Sequence, residues 1–136
     1  MNNLWKYITL YYLQMGETNS LSGMKISDKY KGLDGKGAWE VVVDHVRNHS
    51  EITTVSGLRL SVRFVGSCIF IKGGTPGTKR AEKGEYLTAK DFIPAFDAVK
   101  DWDEINTGNV KEHIRRQQTP FIALLHCSGI LEQTTP

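Results

Sequence analysis

No apolar run in this chain reaches the roughly 18–20 residues that a membrane span needs, so no spanning helix is expected. Cysteine is scarce. Cys68 and Cys127 lie in the apolar stretches Cys68-Ile69-Phe70-Ile71 and Leu124-Leu125-His126-Cys127, and two cysteines make no disulfide framework, so both are expected as buried thiols. Excess charge is also lacking. The formal net charge of +2 rules out a polycation, so an argument for an anionic partner must rest on local clustering. The first 15 residues carry neither a basic leader nor a small-residue cleavage site, and a cytoplasmic location is the resulting expectation.

The most telling absence is local. Between Ile52 and Ala81 there is no carboxylate, while Arg59, Arg63, Lys72, Lys79 and Arg80 all fall there. Within this run Leu58-Arg59-Leu60-Ser61-Val62-Arg63-Phe64 alternates apolar and polar residues, the period of a half-buried strand. Leu58, Leu60, Val62 and Phe64 should enter a core, and Arg59 and Arg63 should share the opposite face. A two-residue turn at Val65-Gly66 would lead into a second strand over Cys68–Lys72, placing Val62 opposite Ile69 and Arg59 opposite Lys72. Valine is a poor residue for a turn position with positive φ, so a longer loop with a bulge stays open. A short strand at Ile52–Thr54 and a third partner running from Thr78–Arg80 to Tyr86-Leu87 would complete an antiparallel meander of three to four strands.

Helices flank this region. Asn3–Met15 reads as a helix with apolar and aromatic residues around much of its circumference, so it is expected to be buried or packed on a second copy as a dimerisation arm. Residues 16–37 are weakly patterned. Trp39, Val42, Val43 and Val46 form one helical face over Ala38–His49, with Glu40, Asp44, Arg47 and Asn48 toward solvent. Thr88-Ala89-Lys90-Asp91 has capping-box form before Phe92, Ile93, Phe96 and Val99. Pro94 is tolerated there only if the helix begins near Asp91. Asn106 or Thr107 can cap a helix carrying Val110 and Ile114, and Thr119-Pro120 opens a last, apolar one. The reading is α+β in a single domain over 1–136, with an N-terminal helix over 1–15, a weakly structured linker over 16–37 and an α+β core over 38–136.

The candidate catalytic motifs are each incomplete. Gly35-Lys36-Gly37 lacks the Ser or Thr that follows the lysine of a phosphate loop. His45 and His49 have the spacing of paired helical metal ligands, yet the protease glutamate is absent and no third ligand is evident. His126 and Cys127, adjacent on a helix, point about 100° apart and cannot act as a pair. Asp34-Gly35-Lys36 is an acid-x-Lys triplet in a glycine-rich loop rather than on a strand. Seven carboxylates crowd into Glu82–Glu104, as a solvated helical face or as partners of the basic strand. No catalytic residue, cofactor or metal is assigned.

Three functions stay in view. The first is a non-enzymatic binding module, dimeric, with Arg59, Arg63, Lys72, Lys79 and Arg80 toward nucleic acid or another anionic partner. The second is a small-molecule pocket lined by aromatics such as Trp5, Tyr7, Tyr11, Tyr12, Trp39, Phe92, Phe96 and Trp102. The third is a nucleic-acid-binding protein using a helix-turn-helix-like segment over Val110–Leu131, although its second helix is too apolar for a recognition helix. The strand-turn-strand region, together with Tyr86-Leu87-Thr88-Ala89-Lys90-Asp91-Phe92, Asn106-Thr107-Gly108-Asn109-Val110 and Thr119-Pro120-Phe121-Ile122-Ala123-Leu124-Leu125, resembles small proteins of mobile elements, including integron gene-cassette products. That resemblance implies an unusual α+β fold and oligomers. It carries over no functional residue.

Overall fold

The computed structural model describes residues 23–134. The helix expected over 3–15, and the dimer contact attached to it, lie outside the described residues. The chain is α+β, and its centre is a four-stranded antiparallel meander in the order β2 (Glu51–Thr53), β3 (Arg59–Val65), β4 (Cys68–Gly73), β5 (Glu85–Thr88). A second, two-stranded ribbon joins β1 (Met24–Ile26) to β6 (Leu131–Gln133). The helices are α1 (Gly35–Asn48), a single turn α2 (Lys79–Glu82), α3 (Ala89–Val99) and α4 (Gln118–Cys127).

Alternation in β3 does what the period requires. Leu60 and Val62 are buried and Phe64 is half-buried, whereas Arg59, Ser61, Arg63 and Val65 face out. Leu58 departs from the expectation. It lies in the β2–β3 loop and is 39% exposed, because Thr54 closes that loop with its backbone and hydroxyl. The Leu58 carbonyl accepts from the Thr54 N–H at 2.8 Å, and the Leu58 N–H donates to Thr54 Oγ1 at 2.9 Å. Ile69 and Ile71 of β4 and Leu87 of β5 complete the inner face.

The β3–β4 register differs from the expectation by two residues. Val65 pairs with Cys68, so the turn is Gly66-Ser67. Gly66 takes φ +64° while Ser67 stays out of the left-handed region, which is the type II′ pattern with glycine at the first central position. Valine is thereby relieved of a conformation it resists. A shift of two preserves which face each residue occupies. It also moves Lys72 from opposite Arg59 to opposite Ser61, and Arg63 to opposite Phe70. A like-charge cross-strand pair is avoided.

Helices α1, α3 and α4 cover the inner face. From α1 come Ala38, Val42, Val43 and Val46; from α3, Phe92, Ala95, Phe96 and Val99; from α4, the run Pro120–Leu125. On the other side, α2 and the turn at Gly84 pack against β4, with Gly84 beside the Phe70 ring. The Thr78–Arg80 stretch is therefore not strand: Thr78 Oγ1 accepts from the Ala81 N–H at 3.2 Å and caps α2.

Three other segments fold differently from their local pattern. The 16–37 stretch holds a strand, a 3-10 turn at Asp28–Tyr30 and the start of α1. Gly35-Lys36-Gly37 opens that helix. Asp34 Oδ1 accepts from the Gly37 N–H and Asp97 Oδ1 accepts from the Gly35 N–H, both at 2.7 Å. In α3, Thr88 Oγ1 accepts from the Asp91 N–H at 3.2 Å, so Thr88 is the cap and Pro94 sits inside the helix. Pro94 is exposed, so the carbonyl it leaves without a partner one turn back has access to water. Asn106 and Asn109 exchange side-chain-to-backbone bonds at 2.9 Å, as caps do, but hydrogen-bonded turns follow rather than a helix. Gly108 and Asn109 are weak helix formers at its start. Val110 and Ile114 reach the core from those turns all the same.

Candidate functional site

The outer face of the sheet is a row of side chains from four strands. Glu51 and Thr53 come from β2, and Arg59, Ser61 and Arg63 from β3. Cys68, Phe70 and Lys72 belong to β4, and Tyr86 and Thr88 to β5. Phe70 is the middle of the patch. The Arg63 guanidinium lies 5.2 Å from the centre of its ring. The Tyr86 ring lies 5.0 Å away at 56°. Gly84, at φ +79°, has no side chain because the Phe70 ring fills the space a Cβ would take. Tyr86 is 54% exposed, a high value for an aromatic ring on a strand. A shallow groove of about 410 Å³ runs between Ser61, Arg63, Phe70 and Lys72.

The five cations of the carboxylate-free run divide into two groups. Arg59, Arg63 and Lys72 stand exposed on the strand face, and among the described residues none forms a salt bridge. The carboxylates of Glu82–Glu104 are thus not their ion-pair partners. Glu51, at the diagonal position between Arg59 and Arg63, is the acid this face carries. Arg80 is different. Its Nε donates to Glu85 Oε1 at 2.7 Å and its Nη2 donates to the Arg116 carbonyl at 2.9 Å, with both charged side chains about four-fifths buried. It ties α2 to β5 and to the turn before α4, where Arg116 is held at φ +65°. Arg80 is a structural clamp. Lys79 is exposed at the first position of α2, apart from the strand face. The Tyr86 ring lies outside what the charge pattern of the sequence marks as the face. Its signal was available: Tyr86 precedes buried Leu87 by one residue on a strand.

The remaining candidates resolve on geometry. The rings of His45 and His49 stack at 4.0 Å and 13°, and His49 Nδ1 lies 3.0 Å from the His45 carbonyl. Among the described residues, no group of three or more His, Cys, Asp or Glu side chains has metal-binding geometry. Burial pushes the His45 pKa below its ordinary 6.5, the nearby His49 adds to this, and Asp44 opposes both. A histidine that resists protonation when folded contributes stability above its unfolded pKa and loses it as pH falls. Thermal stability should therefore decline as pH falls below about 6.5, and H45Q should flatten that decline; a pH series of melting curves for both proteins checks it.

Cys68 and Cys127 are free and half-buried rather than buried, with Cys127 Sγ directed at the Thr53 carbonyl at 3.5 Å. Trp39, Phe92 and Phe96 pack in the core, with Trp39 and Phe92 centroids 5.3 Å apart, so these members of the expected aromatic pocket are core residues. Trp102 instead lines, with Tyr30, a cleft of about 520 Å³ whose rim carries lysines and aspartates of both charge signs. The helix-turn-helix segment has turns where its first helix should be, and Pro120–Leu125 of its second helix are buried. No described helix is long and apolar enough to cross a membrane.

No protein-family model, curated protein or solved structure matches the chain. The likeness to integron gene-cassette products therefore rests on the sequence motifs alone.

Proposed function

We propose that the protein is a non-enzymatic binding module whose outer sheet face receives an anionic partner. The observation that carries this reading is Arg59, Arg63 and Lys72 on one exposed face, with no carboxylate at ion-pair distance among the described residues. Charges in that position gain little stability for the fold. They do create a local positive field on a nearly neutral molecule, which is what attracts and orients an anion. Lys79 lies outside this face and Arg80 serves the fold, so neither is part of the surface proposed.

A sulfated polysaccharide column tests the reading. The double variant R63E/K72E should elute at clearly lower salt than the wild type. The variant K29E/K36E carries the same charge change on exposed positions elsewhere and should elute close to the wild type. Identical elution of the two variants would overturn the proposal, because net charge alone would then explain retention. Light scattering in line with the same column reports whether the protein elutes as the dimer expected from its N-terminal segment.

A further inference from the structure

Resting on that reading, we propose that the anionic partner is a single-stranded nucleic acid, with an unpaired base stacked on Tyr86 beside the Arg63–Phe70 pair and phosphates on Arg59, Arg63 and Lys72.

An anion site needs only charge. This face adds something charge does not require: two aromatic rings on adjacent strands, directly opposite in register, among the cations. Phe70 offers one face to Arg63 and is flanked by the Gly84 turn, so it acts as the fixed support. Tyr86 leans on it and leaves half its surface to solvent. The exposed part of the ring, backed by Phe70, is apolar surface open to a partner. A nucleobase is a cover of the right kind, because every base has a π-face and stacking needs no particular sequence. Duplex fits poorly, since its bases are already stacked on each other. An open sheet face with aromatics and flanking cations is a platform for splayed bases.

The cations have the reach to follow a strand. Arg59 and Arg63 are four residues apart on β3, so their Cα atoms are separated by about 13 Å. Lys72 sits between them on the neighbouring strand, opposite Ser61. A second copy of this face is a poor occupant, because a two-fold contact would bring like charges together. The edge beyond Tyr86 is partly closed as well: its carbonyl accepts from Gln117 Nε2 at 2.8 Å, which works against strand addition there.

Fluorescence anisotropy with labelled 12-mers of mixed sequence, at low salt, tests the proposal. The probes are single-stranded DNA, single-stranded RNA of the same sequence, duplex DNA, an abasic DNA strand and inorganic polyphosphate as competitor. Either single strand should bind more tightly than duplex, and the tighter of the two identifies the source. Y86T keeps a β-former on an exposed position. It should weaken single-strand binding by about 5- to 100-fold without altering the salt dependence. R63A should lower the slope of log affinity against log salt by about 0.7. On the wild-type protein, the abasic strand should bind as weakly as the intact strand binds Y86T, a result that needs no variant to fold. If abasic and intact strands bind the wild type equally, or Y86T retains full affinity, the stacking proposal is overturned while anion binding stands. If neither the strands nor polyphosphate bind, both fall.

Discussion

F92A is expected to lose about 3–5 kcal/mol of folding stability, the range for removing a fully buried phenylalanine. Phe92 is 0% exposed and stands at the meeting point of three helices. Its ring centre lies 5.3 Å from Trp39 of α1, 6.2 Å from Phe96 one turn along α3, and 5.3 Å from Phe121 of α4, the last edge-on. Truncation therefore strips one partner from each of three aromatic contacts and leaves a cavity between elements that backbone shifts cannot easily close. Against a usual total of about 5–15 kcal/mol, this is a large share. Thermal melting should show a drop of roughly 10–20 °C. A drop of a degree or two would mean that the helical layer is not packed as described. Y86T is the contrast, since the ring it removes covers no core.

The second large effect is G35A. On propensity alone this change should help slightly, because alanine is the better helix former and Gly35, the first residue of the helix, has no positive φ to protect. Packing reverses the sign. A Cβ at Gly35 would lie 2.5 Å from the Ile93 carbonyl oxygen and 2.8 Å from Ile93 Cγ2. The carbonyl belongs to α3 and cannot move without shifting the helix. The same approach lets the Gly35 N–H reach Asp97 Oδ1 at 2.7 Å, so a forced separation also breaks the cap that α3 lends to α1. A net loss of about 1–3 kcal/mol is expected from overpacking. G37A is the internal control. Its new Cβ meets Leu33 Cδ1 at 2.7 Å, the movable end of a side chain, so its cost should be smaller. Urea unfolding of the three proteins side by side decides it; G35A as stable as the wild type would show that the α1–α3 contact is looser than 2.5 Å implies.

Much of the fold is legible from residue order. The alternation Leu60-Ser61-Val62-Arg63-Phe64 can place only one set inward. The stripe Trp39, Val42, Val43, Val46 suits only one helical face. Both patterns are local, and local sterics decide them. What was illegible involves distant partners. Met24–Ile26 has no strong pattern of its own and becomes a strand because Leu131–Gln133, more than a hundred residues later, completes its hydrogen bonds. Val110–Ile114 has a helix cap and helical apolar spacing. It is held as turns that still deliver both side chains to the core. The β3–β4 register differs by two from the one expected because periodicity fixes the face of a strand but not its partner; Gly66, able to take positive φ, sets the turn.

The candidate site divides in the same way. By itself, the order of residues determined that Arg59 and Arg63 share the face of β3 opposite Leu60 and Val62, since a strand's period of two leaves no alternative. Only the tertiary structure decided what those cations meet. It drew Arg80 away into a clamp on Glu85 and the Arg116 carbonyl, and kept the acids of Glu82–Glu104 out of ion-pair reach of Arg59, Arg63 and Lys72. It also set Arg63 over Phe70, beside an open Tyr86 ring. Charge acts through distance in space, and pairing register and helix packing, not sequence separation, set those distances.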